Sequence, residues 1–318
     1  MVDPEYLEYP RRRRGMDHDR YAWTALPERA PVTWPHGAGL ALMAVVPLEW
    51  FPLDAAAGPV RPIGALDGLY PDYRGYTHRD YGNRVGAFRL FDVLGRAGLR
   101  ATVPANAAIC TRYPALIDAV CARGWEVVAH GLDMGRLHHA ELTEAEEAGM
   151  IREALDTVRR ATGQRIRGWL SPAGSESPRT LDLLARCGVD YVGDWLNDER
   201  PYAIRATGGP LWSVPFPHEL SDVTVIWQHH HTAPEFARQI LDAHEILTRE
   251  ARPGSGRLLA IGLHPWVSGQ PHRTRALEPV LSWLRGQPGV WPATAAEVLD
   301  AVRAGTPEVG PRLPAGTS

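Results

Sequence analysis

The chain contains no lysine; all 34 of its basic residues are arginine. That excludes Schiff-base chemistry on a lysine amine, and it has the look of a genome-wide composition bias. Cysteine is scarce: Cys110, Cys121 and Cys187, with no Cys-x-x-Cys spacing. A disulfide framework is therefore not expected, and an odd, sparse count suits a reducing cytoplasm with buried thiols. No apolar run approaches membrane-spanning length. The opening "MVDPEYLEYPRRRRG" lacks the apolar core of a signal peptide. Neither sign of charge dominates. The formal net charge is -3, and Arg11 to Arg14 form the only basic cluster, so nothing argues for nucleic acid as a partner. The expectation is a cytoplasmic protein with a small-molecule substrate and neither a nucleic-acid nor a membrane partner.

What is present fits a globular protein with a substantial core. Of 318 residues, 44% are hydrophobic and 22% charged, enough for one large α/β domain or two small ones. Residues 1–38 are polar, Pro-rich and irregular, and read as an N-terminal arm. From residue 39 to 303 short apolar runs alternate with amphipathic segments. "LALMAVVP", "RATVPAN", "WEVVAH", "RIRGWLSP", "VDYVGDW", "PLWSVPF", "DVTVIW" and "RLLAIGLHP" read as strands. "RVGAFRLFDVLGRAG", "YPALIDAVCARG", "SPRTLDLLARCG", "TAPEFARQILDAHEILTREA", "RTRALEPVLSWLRG" and "TAAEVLDAVRAG" read as helices. A further helix opens with Thr143 and Glu146 in capping-box spacing and stops at Gly163.

Alternation of this kind makes a mainly parallel sheet, and about seven units predict a single-domain α/β fold, a distorted (β/α) barrel. Pro52 to Gly82 is too long for a plain connection and reads as a cover loop. Residues 304–318 read as a disordered tail.

Active-site groups of such a barrel lie at the C-terminal ends of its strands. Reading the residue after each apolar run yields Glu49, Asn106, His130, Ser171, Asp194 with Trp195 and Asn197, and His264. One histidine after a strand is more often structural than catalytic. Glu49, His130 and His264 at one predicted rim shift that balance toward acid/base chemistry. Glu49 stands beside Trp50 and Phe51, and burial there would raise its pKa; alternatively it pairs with an arginine and holds a loop. Asp80 and Arg84 open a helix, where Arg84 either fixes the cover loop or meets substrate. "WQHHHT" looks metal-like, but three successive residues cannot all face one way on a strand, so His229 to His231 read as a loop or cap segment before a helix, with metal binding not expected.

Several stretches in order resemble the polysaccharide deacetylase superfamily, most nearly its cytoplasmic allantoinase-like branch: "RDYGNRVGAFRLFDVL", "RATVPANAAICTRYP", "RGWEVVAHG", "GWLSPAGSESPRTLDLLARCGVDYVGDW" and "IGLHPWVSGQPHR". The resemblance spans roughly residues 20 to 300. It implies hydrolysis of a non-peptide C–N bond, in a cyclic amide, ureide or N-acyl compound, by a homo-oligomer, often a tetramer. It keeps His130, Asp194, Trp195 and His264 at motif positions; with the strand-end reading, catalytic roles are expected for Glu49, His130 and His264, and substrate contacts from Arg84, Asn106, Ser171, Asp194, Trp195 and Asn197.

Metal-dependent relatives carry an Asp-Asp pair after the first strand; here stand Pro47, Leu48 and Glu49. Their His-x-x-x-His motif keeps His130 but has Met134 four residues on, and a thioether is a poor zinc ligand at a hydrolytic site. An arginine two residues before Pro172 is replaced by Leu170. The expectation is therefore no metal and no other cofactor, zinc or another divalent ion being disfavoured. Two alternatives stay open: a barrel that has lost catalysis and binds a ligand or partner, and a metal-dependent deacetylase with rearranged ligands, in which His138 or His139 joins only if its loop folds back.

Overall fold

The computed structural model describes residues 18–21, 23–53, 71–251 and 255–305. In chain order it contains β1 (Leu40–Val45), α1 (Tyr73–Tyr81), α2 (Ala87–Arg96), β2 (Ala101–Ala105), α3 (Ala107–Arg112), α4 (Pro114–Ala122), β3 (Glu126–Ala129) and α5 (Glu144–Thr162). There follow β4 (Gly168–Trp169), α6 (Thr180–Arg186), β5 (Tyr191–Val192), β6 (Tyr202–Ile204), β7 (Leu211–Ser213), α7 (Ala233–Glu250), β8 (Arg257–Gly262), α8 (Pro265–Ser268), α9 (Pro271–Arg285), β9 (Val290–Pro292) and α10 (Ala295–Gly305).

The strands form one curled sheet in the order β6-β7-β5-β4-β3-β2-β1-β8. From β7 to β8 every pairing is parallel, which bears out the expected distorted (β/α) barrel. Only β6 runs antiparallel, against β7. The curl brings the chain after β7 to the free edge of β8, where Ser221 bridges Gly262 and the Gly262 N–H donates to the Leu220 carbonyl. One edge of β1 pairs with β8 along its length. Its other edge is shared: β9 pairs with Leu40 to Leu42, and β2 with Ala44 and Val45.

"LALMAV" is buried throughout β1 because both faces are covered. Leu40, Leu42 and Ala44 face the layer of helices. Ala41, Met43 and Val45 face the barrel interior with Val128, Tyr191 and Leu258, as period-2 alternation requires. The first turn of α10 closes the end of the barrel where the strands start. Its Ala295 N–H donates to Thr102 Oγ1 and its Ala296 N–H to Glu126 Oε2. Glu49, His130 and His264 follow β1, β3 and β8 at the opposite end.

The helices start as their sequences direct. Thr143 and Glu146 form the expected capping box of α5, and Thr232 and Glu235 form another on α7.

Some expectations need correction. Tyr73 to Tyr81 of the expected cover loop is the helix α1, capped by Asp72; residues 54–70 of that stretch lie outside the described residues. "DVTVIW" is not a strand but a π-type helical turn, Val223–Gln228; periodicity does not separate so short an apolar run from a strand. β6, β9, α3 and α8 were not anticipated, each being four residues or fewer except α3. Residues 1–17 and 306–318, most of the arm and nearly all of the tail, lie outside the described residues.

A second π-type turn, Gly82–Gly86, joins α1 to α2. It packs backbone to backbone on α8. A Cβ at Gly86 would stand 2.1 Å from the Pro265 carbonyl oxygen, and one at Gly269 would stand 2.4 Å from Gly86 Cα. Only glycine permits this approach, and it brings α1 beside the residue that precedes α8, His264.

Candidate active site

Glu49 follows β1 by four residues, after Leu48 has bridged to Ala105. Its carbonyl accepts a hydrogen bond from Asn83 of the π-type turn at 3.1 Å. His130 follows β3 directly, and its Nδ1 lies 2.8 Å from the Leu170 carbonyl. A carbonyl only accepts, so Nδ1 carries the proton and Nε2 is the atom turned to Glu49, 3.6 Å from Oε1. His264 sits between β8 and α8. Its Nε2 is 3.9 Å from the same Glu49 oxygen. The strand ends thus bring together the three residues expected to be catalytic, with one carboxylate oxygen facing two imidazoles.

A fourth member escaped the sequence. Asp222, fully buried, takes the His264 Nδ1–H at 2.7 Å through Oδ1 and the His264 backbone N–H at 2.8 Å through Oδ2. Burial alone would lower the His264 pKa, but the charge and hydrogen bond of Asp222, aided by Glu49, raise it above the ordinary 6.5. The expected upward shift at Glu49 is overturned. Burial does push its pKa up, yet His130, His264 and Arg79 outweigh that and hold it below the ordinary 4.5.

Arg79, on the last turn of α1, was also missed. It is buried, with its guanidinium carbon 3.7 Å from the Trp266 ring centroid, 5.1 Å from Trp227 and 5.4 Å from Phe51. Its charge acts on both Glu49 and His264.

The expected substrate contacts fare unevenly. Asn106 is fully buried and clamps backbone: its Oδ1 accepts from the Trp50 N–H at 2.8 Å, and its Nδ2 donates to the His130 carbonyl. It therefore fixes the residues flanking the site. Ser171 donates its N–H (2.6 Å) and its Oγ–H (2.9 Å) to Asp194. Beside them Trp195 donates Nε1–H to both oxygens of Glu176 at 3.1 Å. Burial and the neighbouring Asp194 push the Glu176 carboxyl up to about 8, and burial pushes Asp194 up to about 6. This carboxyl pair lies at the ends of β4 and β5 along the rim. Asn197 is exposed and accepts from the Tyr202 hydroxyl at 2.6 Å. Arg84 is exposed on the π-type turn. Neither joins the cluster around Glu49.

The other histidines have different tasks. His138 is buried with Nδ1 3.2 Å from Glu147, which also accepts from Ser177 at 2.6 Å and Thr180 at 2.5 Å. This network anchors the loop to α5 and does not fold His138 back to Glu49. His229, His230 and His231 are exposed ahead of α7. Met134 is buried, its N–H bonded to the Trp50 carbonyl.

Where the resemblance implies metal ligands, the chain has the shifted carboxylate Glu49 and the buried thioether of Met134, and the charge of Arg79 acts on Glu49. Among the described residues no three His, Cys, Asp or Glu side chains converge as a metal-ligand set. A thioether and a nearby guanidinium are unfavourable company for a divalent metal there.

Residues 77–192 match the family model described as polysaccharide deacetylase. A Schizosaccharomyces pombe protein, whose name assigns it provisionally as a polysaccharide deacetylase, is 23% identical over 243 residues, covering 70% of this chain and 74% of its own. A crystal structure from Pseudomonas aeruginosa PAO1, assigned in the same provisional way, is similar with a TM-score of 0.78 at 26% identity, over 88% of this chain and 97% of that one. The crystal structure of Puue allantoinase shares the fold with a TM-score of 0.78 at 23% identity, over 89% of this chain and 98% of that one.

Proposed function

We propose that the chain, whose residues 77–192 match the polysaccharide deacetylase family model, hydrolyses the C–N bond of a small cyclic amide, ureide or N-acyl compound without a metal. The observation that carries this reading is the single Glu49 oxygen between two imidazoles, one of them clamped by Asp222.

A water bound beside Glu49 meets the carboxylate oxygen and His130 Nε2 together. Glu49, whose pKa is held low, stays ionised and takes the proton as the water oxygen attacks the carbonyl carbon. His264, whose pKa is held high, carries a proton on Nε2 while Nδ1–H remains on Asp222. It delivers the Nε2 proton to the nitrogen as the C–N bond breaks. One proton has then moved onto Glu49 and one off His264, and transfer between them restores the starting state. Two groups with pKa values driven apart is the arrangement that acid/base hydrolysis needs.

The test is purified, folded protein assayed against allantoin, hydantoin, cyclic imides and small N-acetyl sugars, with and without chelator. Turnover that survives chelation is expected for at least one cyclic amide or ureide. No turnover of any of them overturns the reading.

A further inference from the structure

Resting on the proposed function, we propose that Asp194 is a positioning residue for His130, acting through the peptide bond that joins Leu170 to Ser171. That peptide is held at both ends. Its carbonyl lies 2.8 Å from His130 Nδ1, and its N–H donates to Asp194 Oδ1 at 2.6 Å. Asp194 Oδ2 accepts from Ser171 Oγ at 2.9 Å, and that hydroxyl accepts from Trp169 Nε1 at 2.9 Å. Ser171 is fully buried and His130 is 2% exposed.

The hydrolysis needs His130 in one tautomer. With the proton on Nδ1, Nε2 offers a lone pair to the water beside Glu49. With the proton on Nε2, the ring would donate across the 3.6 Å gap to Glu49 Oε1 and occupy the oxygen that receives the proton of water. Two acceptors thus compete for one ring proton, the Leu170 carbonyl and the Glu49 carboxylate. A carboxylate is the stronger acceptor, so an unaided carbonyl is a poor match. The Ser171 N–H, bonded to Asp194, polarises the shared peptide and leaves more negative charge on the Leu170 oxygen, because hydrogen bonds in a chain strengthen one another. Asp194 does at one peptide's remove what a carboxylate bonded to a histidine does directly: it fixes which nitrogen carries the proton and how the ring is turned.

The backbone stiffens this path. The Leu170 N–H donates to the Ala129 carbonyl at 2.9 Å, and the His130 N–H to the Ala105 carbonyl at 3.0 Å. A Cβ at Gly131 would stand 2.4 Å from Pro172 Cγ. Residues 129–131 and 170–172 are therefore pressed together around the peptide that links the two side chains.

Glu176 governs how much charge Asp194 carries. The two carboxyls are hydrogen-bonded to each other, and Trp195 Nε1 holds both Glu176 oxygens at 3.1 Å. With Glu176 pushed up to about 8 and Asp194 up to about 6, the pair keeps one proton and one charge at neutral pH. The charge resides on Asp194, which has both Ser171 donors. The cation that acts on Glu176 is Arg20, itself paired with Asp182 at 2.9 Å and attracted by Asp19.

The experiment reads the His130 ring by nitrogen-15 NMR, which separates a protonated ring nitrogen from a bare one, at neutral pH in wild type, Asp194→Asn and Glu176→Gln. Wild type is expected to carry the proton on Nδ1. Asp194→Asn keeps the shape and removes the charge, and should move the tautomer ratio toward Nε2–H by roughly 3- to 10-fold. Its kcat on whichever compound of the panel is turned over should fall roughly tenfold, with KM changed far less. Glu176→Gln leaves Asp194 ionised and should leave the ring in the wild-type tautomer. A ratio unmoved in Asp194→Asn overturns the proposal. So does an equal shift in both variants, the mark of a purely structural role for the pair. Should Asp194→Asn fail to fold, wild type alone remains decisive, since a His130 protonated on Nε2 overturns the proposal without any variant. A wild type inactive on the whole panel speaks against the proposed function, whereas the NMR measurement needs no substrate and judges Asp194 by itself.

Discussion

Replacing Asp222 by asparagine is the sharpest probe of the acid. The carboxylate makes two contacts to one residue, 2.7 Å to the His264 ring and 2.8 Å to its backbone N–H. An amide of the same shape has one acceptor and one donor. In Asp222→Asn either the ring N–H or the backbone N–H faces an NH2 group, unless the imidazole moves its proton from Nδ1 to Nε2. Each route removes the charge that favours imidazolium. A hydrogen bond to a charged group contributes about 1.5–3 kcal/mol and a neutral one about 0.5–1.5, so the protonated ring loses about 1–2 kcal/mol. At about 1.4 kcal/mol per pH unit, its titration falls by about one unit.

Activity should follow a bell in pH. The acidic limb belongs to Glu49, below the ordinary 4.5, and the alkaline limb to His264, above the ordinary 6.5. Stopped-time assays of kcat from pH 4 to 10 should show the alkaline limb moved to lower pH in Asp222→Asn. At the optimum kcat should fall by roughly 10²- to 10⁴-fold, the usual value of a positioned acid. An alkaline limb that stays in place with kcat within threefold would refute the assignment.

Other outcomes follow from the same geometry. Asn106→Ala strips partners from the Trp50 N–H and the His130 carbonyl and should cost about 1–3 kcal/mol per buried group left unpaired, read by urea denaturation. Gly131→Ala meets a φ of +63° and would set a Cβ 2.4 Å from Pro172 Cγ; loss of several kcal/mol, about 2–4, is expected in the same assay. The raised pKa of His264 means that its charged form stabilises the native state fully below 6.5 and ceases to as pH rises through the shifted value. The stability gap between wild type and His264→Gln should therefore be widest below pH 6.5 and narrow above it. Dialysis against a chelator should leave kcat within twofold; loss restored by added zinc would count against metal-free chemistry.

The rim was legible because each apolar run is followed by a polar residue that a core would not request. Glu49, His130 and His264 were found in that way, and the sheet places all three at one end. What the pattern hid are residues whose role is set by partners distant in the chain. Asp222 opens an apolar run that looks like a strand, and its bond to His264 spans 42 positions. Arg79 lies where the expected cover loop meets the expected start of a helix, and only α1 gives it a face. Asn106 was recognisable as a strand-end residue, but only coordinates show its amide committed to backbone on both sides. Asn197 follows Trp195 by two residues, yet it is exposed, and its side-chain Oδ1 accepts from the Tyr202 hydroxyl. The sign of the Glu49 shift was hidden for the same reason, since burial can be guessed from neighbouring aromatics and nearby cations cannot.

The shared edge of β1 has a consequence for how the protein is made. Glu49 rides on a strand whose partners β8 and β9 leave the ribosome more than 200 residues later. At about 5–20 residues per second, "LALMAV" waits roughly 10–50 s before those edges can be filled. During that interval six apolar residues with exposed edges are a ready template for wrong pairing. The cluster around Glu49 is completed last, and a nascent chain halted before Arg257 would have Glu49 and His130 but neither β8 nor His264.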